Sequence, residues 1–249
     1  MNIGIMQPYF FPYIGYFQLI HKVDKFLLYD RVSFIKKSWI NRNYIINKGN
    51  FQQLQLTIPI ENKSSNSLIA ETKINNNKDW RTPLLKSVQM NYRKAPFFNS
   101  TYPIIEDIIQ TQCETISEFN KQCIIKTCNH IGITTEISTD EAYYEDIESN
   151  LKNKSYSLHD SFTQVKAERI FQICKMEKAT KYLNPIGGVA LYSKDLFAKN
   201  KIELKFLKSS EIKYDQFKNT FIPNLSILDV MMFNSKDSIL KILNHCSEL

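Results

Sequence analysis

The sequence predicts an α/β fold. The expected form is a mainly parallel sheet flanked by helices, opening on a nucleotide-binding-like β-loop-α unit and carrying a further helical portion. Three observations support this. A short apolar run, Asn2–Met6, stops at Gln7-Pro8 and is followed by a helical pattern and a second apolar run, Lys25–Asp30. Helical periodicity dominates from Asp79 to Gly132. Beyond Ile133, strand-length apolar runs alternate with helical patterns again. One domain over 1–249 is expected, subdivided into an α/β opening (1–78), a helical part (79–132) and a second α/β part (133–249), since no repeat, heptad run or long linker separates them.

Taken in order, Ile14–Val23 places Ile14, Phe17, Ile20 and His21 on neighbouring turns of one helix face. Ser38–Asn50 mixes polar and aromatic residues without a clear period. Leu54, Leu56, Ile58 and Ile60 alternate as a half-buried strand that Pro59 pushes to an edge or ends early, and Ile69–Ile74 is its expected partner. Asp79 is a candidate N-cap for a helix that buries Trp80, Leu84, Val88 and Tyr92. Pro96 ends that helix. Helices follow at Ile104–Ile109 and Ile116–Ile131, the latter closed by Gly132, and then a strand at Ile133–Ser138. The polar stretch Glu148–Ser157 reads as a mobile loop. The rest comprises a helix (Ser161–Lys178), a strand at Tyr182, a turn at Pro185–Gly188, a helix (Lys194–Asn200), a strand over "IELKFL" and a helix capped by Ser226. Asp229, three residues on, has capping-box spacing.

Composition narrows the function. The net charge is +7, but the basic residues are dispersed and Lys, Asn and Ile are over-used throughout, so a nucleic-acid surface is not indicated. No window is long and apolar enough for a membrane span, and Pro8 and Pro12 interrupt the opening apolar stretch, which also lacks the basic start of a signal peptide. A cytoplasmic protein is expected. The five cysteines include no CxxC pair and no zinc spacing, so they read as reduced structural thiols and no metal is expected.

Four constellations carry chemistry. The first, "IMQPYFFPYIGYFQLI" from Ile5 to Ile20, packs six aromatic residues, two prolines and a glycine between a strand and a helix. Ligands of such folds sit beyond the carboxyl end of a strand. Gln7, Tyr9, Tyr13 and Tyr16 are candidate contacts, and Gly15 a point where a ligand approaches the backbone. Tyr13-Ile14-Gly15-Tyr16 stands where adenylyl-transferring enzymes of the HIGH type carry His-x-Gly-His, without either histidine. The second, Asp30–Asn43, offers Lys36, Arg42, Asn41, Asn43 and the ring of Trp39, a set suited to a phosphorylated sugar or nucleotide. The third, Tyr182–Tyr192, offers Asn184, Gly187, Gly188 and Tyr192 around a turn whose paired glycines permit backbone amides to face an anion. The fourth is the Glu168-Arg169 pair, with His159 nearby as a general-base candidate beside Asp30 and Glu168.

Together these segments resemble the WbqC-like family of bacterial proteins. The likeness rests on "IMQPYFFPYIGYFQLI", "VDKFLLYD", "WINRN", "YRKAPFF", "ERIFQIC", "YLNPIGGVALY" and "FIPNLSILDVMMFN", in that order. It implies a protein of O-antigen or other surface-polysaccharide biosynthesis acting on a nucleotide-linked amino sugar (a dTDP- or UDP-sugar). Arg31 and Leu84 depart from the family pattern, which has an acid and a histidine there, so no role passes to them.

The expected activity is a transferase adding an acyl or aminoacyl group to the sugar amine. Asp30, Glu168 or His159 would take the amine proton, and tyrosines, amides and the glycine turn would stabilise the oxyanion. The donor would be an acyl-CoA or a carrier-protein thioester, with the carrier protein or a second copy of the chain as partner. Alternatives are an ATP-dependent carboxylate–amine ligase and a non-catalytic nucleotide-sugar-binding scaffold.

Overall fold

The computed structural model describes residues 1–61, 67–139, 144–153, 162–217 and 220–249, with the side chains of 152–153 and 162–166 left aside. Eight strands occur among them: β1 (Asn2–Met6), β2 (Lys25–Leu28), β3 (Arg42–Asn47), β4 (Gln52–Thr57), β5 (Glu136–Ser138), β6 (Lys181–Pro185), β7 (Glu203–Ser209) and β8 (Cys246–Glu248). Six form one sheet in the order β5-β2-β1-β6-β7-β8. The first five are parallel and β8 joins β7 antiparallel. The chain thus winds outward in both directions from the central pair β1 and β6. Between two such strands the crossovers diverge to opposite faces and leave a crevice at the carboxyl edge.

Period-two alternation divides the strands between two apolar layers. Phe26, Leu28, Leu183 and Leu207 enter one cluster; Ile3, Ile5, Leu27, Tyr182 and Phe206 enter the other. The first face is covered by α1 (Ile14–His21), α4 (Ile116–Ile131) and α9 (Lys236–Leu243), continued by α2 (Arg81–Tyr92), α3 (Phe98–Gln110) and α8 (Ile227–Phe233). The second is covered by α5 (Glu145–Asn153), α6 (Phe162–Met176) and α7 (Lys194–Lys199).

Local signals explain most boundaries. Thr115 and Glu118 close a full capping box on α4, and Gly132, at φ 85°, ends it. Asp79 accepts the Thr82 N–H at 3.1 Å, and the predicted face of α2 is buried at Trp80, Leu84, Val88 and Tyr92. Gln18, fully buried on α1, donates to the carbonyls of Ile242 and His245 and accepts from Ser209, so it stitches the first helix to the end of the chain.

Several expectations are corrected. The strand at Leu54 pairs antiparallel with β3, not with Ile69–Ile74, which touches it only through an Ile60–Ile74 bridge. The aperiodic stretch from Ser38 holds β3, whose partner in a hairpin outside the main sheet supplies the hydrogen bonds that its own pattern does not announce. Glu145–Asn153 is helical where a loop was expected from Glu148, because Ile147 and Leu151 reach the apolar layer from an otherwise polar helix. Residues 154–157 of that expected loop lie outside the described residues. Asp229 does not complete a capping box: Ser226 caps Leu228 N–H alone, and the carboxylate turns inward.

Candidate functional site

The loop from Gln7 to Tyr13 leaves β1 at the carboxyl edge, and its backbone is held by buried amides. Asn120 Nδ2 donates to Pro8 O at 2.9 Å and Ile40 O at 2.7 Å. Asn43 Nδ2 donates to Phe10 O at 3.1 Å and Phe11 O at 2.7 Å, and Ser226 Oγ donates to Phe11 O at 2.8 Å. Phe10 N donates to Trp39 O and Ile227 N to Pro12 O. These bonds satisfy carbonyls that a loop without a ladder would otherwise bury unpaired. They also hold Phe11 at φ 39°, a left-handed conformation costing a bulky residue on the order of 1–3 kcal/mol. Strain kept by so many constraints marks a preorganised loop.

The loop presents its rings to a cavity of about 370 Å³ lined by Tyr9, Pro12, Tyr13, Trp39, Asn43 and Asn224. Four of these, Tyr9, Tyr13, Trp39 and Asn43, are sequence-predicted contacts from two separate constellations. Tyr13 and Trp39 are 41% and 48% exposed, so their rings are open to a ligand. Burial raises the phenol pKa of both Tyr9 and Tyr13, which keeps them neutral and donating. Asn224 was not foreseen; its left-handed φ of 59° follows the asparagine preference for that region but carries no sequence signature.

Other residues of these constellations have structural partners. The space above Gly15 is not open to a ligand. A Cβ there would lie 2.4 Å from Tyr13 Cε2, because the Tyr13 ring itself covers the glycine. Tyr16 is buried, its hydroxyl donating to Gln7 O at 2.8 Å, while Tyr9 donates to Gln7 Oε1 at 3.3 Å. Asn41 Nδ2 donates to Ile58 O. Arg42 Nη2 donates to Lys37 O, and Lys36 is exposed on the preceding turn.

A second polar group forms on the opposite face of the same edge. Tyr29, which donates its N–H to Met6 O, donates its hydroxyl to Glu148 Oε1. Arg169 donates to both Glu148 oxygens, through Nε at 2.5 Å and Nη2 at 3.0 Å. Asn184 Nδ2 donates to Tyr182 OH at 3.1 Å, and Tyr192 packs edge-on against Tyr182. Burial raises the Tyr192 phenol pKa, while Tyr182 and the charge of Arg169 hold it back. Gly187 and Gly188 form the single 3-10 turn after β6; Gly187 faces open space and the Asn184 amide lies against Gly188. Tyr29 and Glu148 escaped the sequence reading because Glu148 sits in a polar helix.

The candidate bases are dispersed. Asp30, 1% exposed at the end of β2, accepts from Ser117 Oγ and pairs with Lys121 Nζ at 2.8 Å. Ser117 and Lys121, one turn apart on the buried face of α4, were not foreseen; a lysine among that helix's apolar positions was the available signal. Glu168 accepts from Gln172 Nε2 and lines a different cavity of about 890 Å³ with Lys175, Lys178 and Lys201 near the amino ends of β6 and β7. That cavity lies away from the carboxyl edge, where ligands of this sheet type bind, and from the converging aromatic residues. Asp30 and Glu168 thus belong to opposite faces of the sheet. His159 lies outside the described residues. The cysteines are free; burial pushes the Cys123 and Cys174 thiols up to about 12, which makes them inert at neutral pH. No cluster of metal-ligating residues occurs among the described residues.

The WbqC-like protein family matches residues 7–241, a span containing both groups at the carboxyl edge. The chain belongs to the WbqC-like family. An uncharacterized protein of Mycobacterium tuberculosis is similar to it, 26% identical over 250 residues that cover 99% of each chain. No solved structure matches the chain. For this WbqC-like protein, the fold and the aromatic cavity therefore carry the functional argument.

Proposed function

We propose that the protein is a transferase adding an acyl or aminoacyl group to the amine of a nucleotide-linked amino sugar in surface-polysaccharide biosynthesis. The observation that carries this reading is the convergence of Tyr9, Tyr13, Trp39 and Asn43 on one cavity at the carboxyl edge of a doubly wound sheet. A cavity of about 370 Å³ accommodates one ring system with its substituents. Stacking on Trp39 and Tyr13 suits a base or the apolar face of a sugar. The rest of the substrate would extend along the edge past Gln7 toward Arg169, Asn184 and Tyr192, whose guanidinium, amide and phenol would meet a diphosphate by exchanging their present contacts to Glu148 and Tyr182. The N–H groups of the Ile186–Gly188 turn would serve as the oxyanion donors this reading requires.

Calorimetry with dTDP- and UDP-linked amino sugars tests the binding step. Trp39→Ala should weaken affinity roughly tenfold, the scale of one lost ring stack. Mass spectrometry of the bound sugar, incubated with acyl-CoA, an acyl carrier thioester, or ATP and glycine, tests the transfer. A mass increase only with ATP points to the ligase chemistry; binding without any mass increase points to the scaffold. No affinity for any nucleotide sugar overturns the proposal.

A further inference from the structure

Among the described residues, chain ends aside, five of the eight exposed large apolar side chains are Tyr13, Ile35, Trp39, Ile186 and Val189. They stand on the three loops that leave β1, β2 and β6, all at the carboxyl edge. Tyr13 and Trp39 are explained as cavity walls. Ile35, 59% exposed, Ile186, 41%, and Val189, 51%, line no cavity described above. Apolar side chains concentrated at one end of a molecule mark a contact surface.

The charges on these loops identify the kind of contact. None of the chain's 25 acidic residues falls within 7–13, 33–42 or 186–194. Segment 33–42 carries Lys36, Lys37 and Arg42, with Ile35 and Trp39 flanking the two lysines. Glu145 and Glu148 of α5, which face this edge, are engaged by Arg31 and Arg169, and Asp195 follows the third segment at the start of α7. The Phe10 N–H to Trp39 O bond holds this turn against the cavity loop. An indole and a branched aliphatic side chain beside lysines match the layered chemistry of a phospholipid surface: acyl chains below, amphipathic rings at headgroup level, cations on phosphate. We propose that the carboxyl edge, led by the Ile35–Trp39 turn, rests reversibly on an anionic phospholipid surface. This places the mouth of the aromatic cavity at headgroup level. The inference does not depend on the nucleotide-sugar reading.

The chain has two tryptophans; Trp80 is 5% exposed and Trp39 is 48% exposed, so emission reports on the turn directly. Intact protein is titrated, without sugar ligand, with vesicles of phosphatidylcholine alone or mixed with phosphatidylglycerol. The expected result is a blue shift and co-sedimentation with the anionic vesicles only, weakened by salt. Lys36→Gln and Lys37→Gln should each lower vesicle affinity roughly fivefold. Ile35→Ser should reduce the bound fraction further. Trp80→Phe isolates the Trp39 signal; should that variant fail to fold, sedimentation of the wild type decides alone. The proposal is overturned by the absence of binding, by equal binding to neutral vesicles, or by binding that survives the three substitutions. A blue shift produced by an acidic peptide and not by vesicles would assign the edge to a protein partner and overturn it equally.

Discussion

At the scale of single residues, Gly15 and Tyr13 are one device. The glycine lets the tyrosine ring lie across the start of α1, and the ring in turn forms a cavity wall. Gly15→Ala forces the ring away from its place. The obstructing atoms are the tip of a half-exposed side chain, so the ring swings outward and the fold survives. Helix propensity favours alanine by about 1 kcal/mol, so urea unfolding should show stability changed by no more than about that amount. Calorimetry should show ligand affinity reduced roughly tenfold, as for loss of one ring contact.

Asp229 is a second such residue. Fully buried, it receives Tyr92 OH at 2.7 Å on Oδ1, and Tyr214 OH at 2.7 Å and Gln216 Nε2 at 2.6 Å on Oδ2. Burial raises its pKa above the ordinary 3.8, and the three donors only partly counter this. The folded protein therefore binds this proton more tightly than the unfolded chain. The resulting stabilisation is complete below 3.8 and is lost as pH rises through the raised folded value. Asp229→Asn removes that component of the pH profile. It should also lower stability at neutral pH by about 1–3 kcal/mol, because an amide cannot accept from all three donors without rearrangement. Urea titrations of both proteins across this pH range measure the difference.

At the scale of elements, α5 is tied to α6 by the Arg169–Glu148 pair and to the segment after β2 by the Arg31–Glu145 pair and the Tyr29 hydroxyl on Glu148. Arg169 and Glu148 are both partly solvated, at 20% and 15% side-chain exposure. Arg169→Ala should cost about 2 kcal/mol, below the roughly 3–5 expected for a fully buried pair. Hydrogen exchange should then quicken in Glu145–Asn153 before it does in β1 or β2. Elements differed in how far the sequence disclosed them. Strands β1, β2 and β6 announced themselves as bounded apolar runs, and α4 carried its own cap and stop. Strand β4 showed in its alternation, but its partner β3 did not, because Asn41 and Asn43 look like exposed polar residues and are buried anchors for backbone carbonyls. Helix α5 was hidden because only Ile147 and Leu151 mark its buried side. The aromatic cavity was legible as a composition, rings and amides out of proportion to a core. Which rings faced it was not, since Tyr9 and Tyr13 line it while Tyr16, in the same motif, packs inside. The buried trio Asp30, Ser117 and Lys121 joins residues distant in sequence and is visible only in three dimensions.

At the scale of the whole molecule, the sheet divides labour between its ends. The carboxyl edge carries the rings, the strained loop and the cation-bearing turn. The amino edge carries the lysine-lined cavity that includes Glu168. The order of the strands also sets a schedule. Strand β1 lies between β2, its neighbour within the first 28 residues, and β6, which begins only at Lys181. On a ribosome adding 5–20 residues per second, the nascent chain holds β1 with one side unpaired for roughly 10 to 35 seconds. The backbone groups of Asn2–Gly4 that pair with β6 stay open for that interval, on an apolar strand whose free edge is of the kind that aggregates. Fragments released before β6 is made should therefore be clients of chaperones, and the opening segment that builds the site is also the one most exposed to misassembly during synthesis.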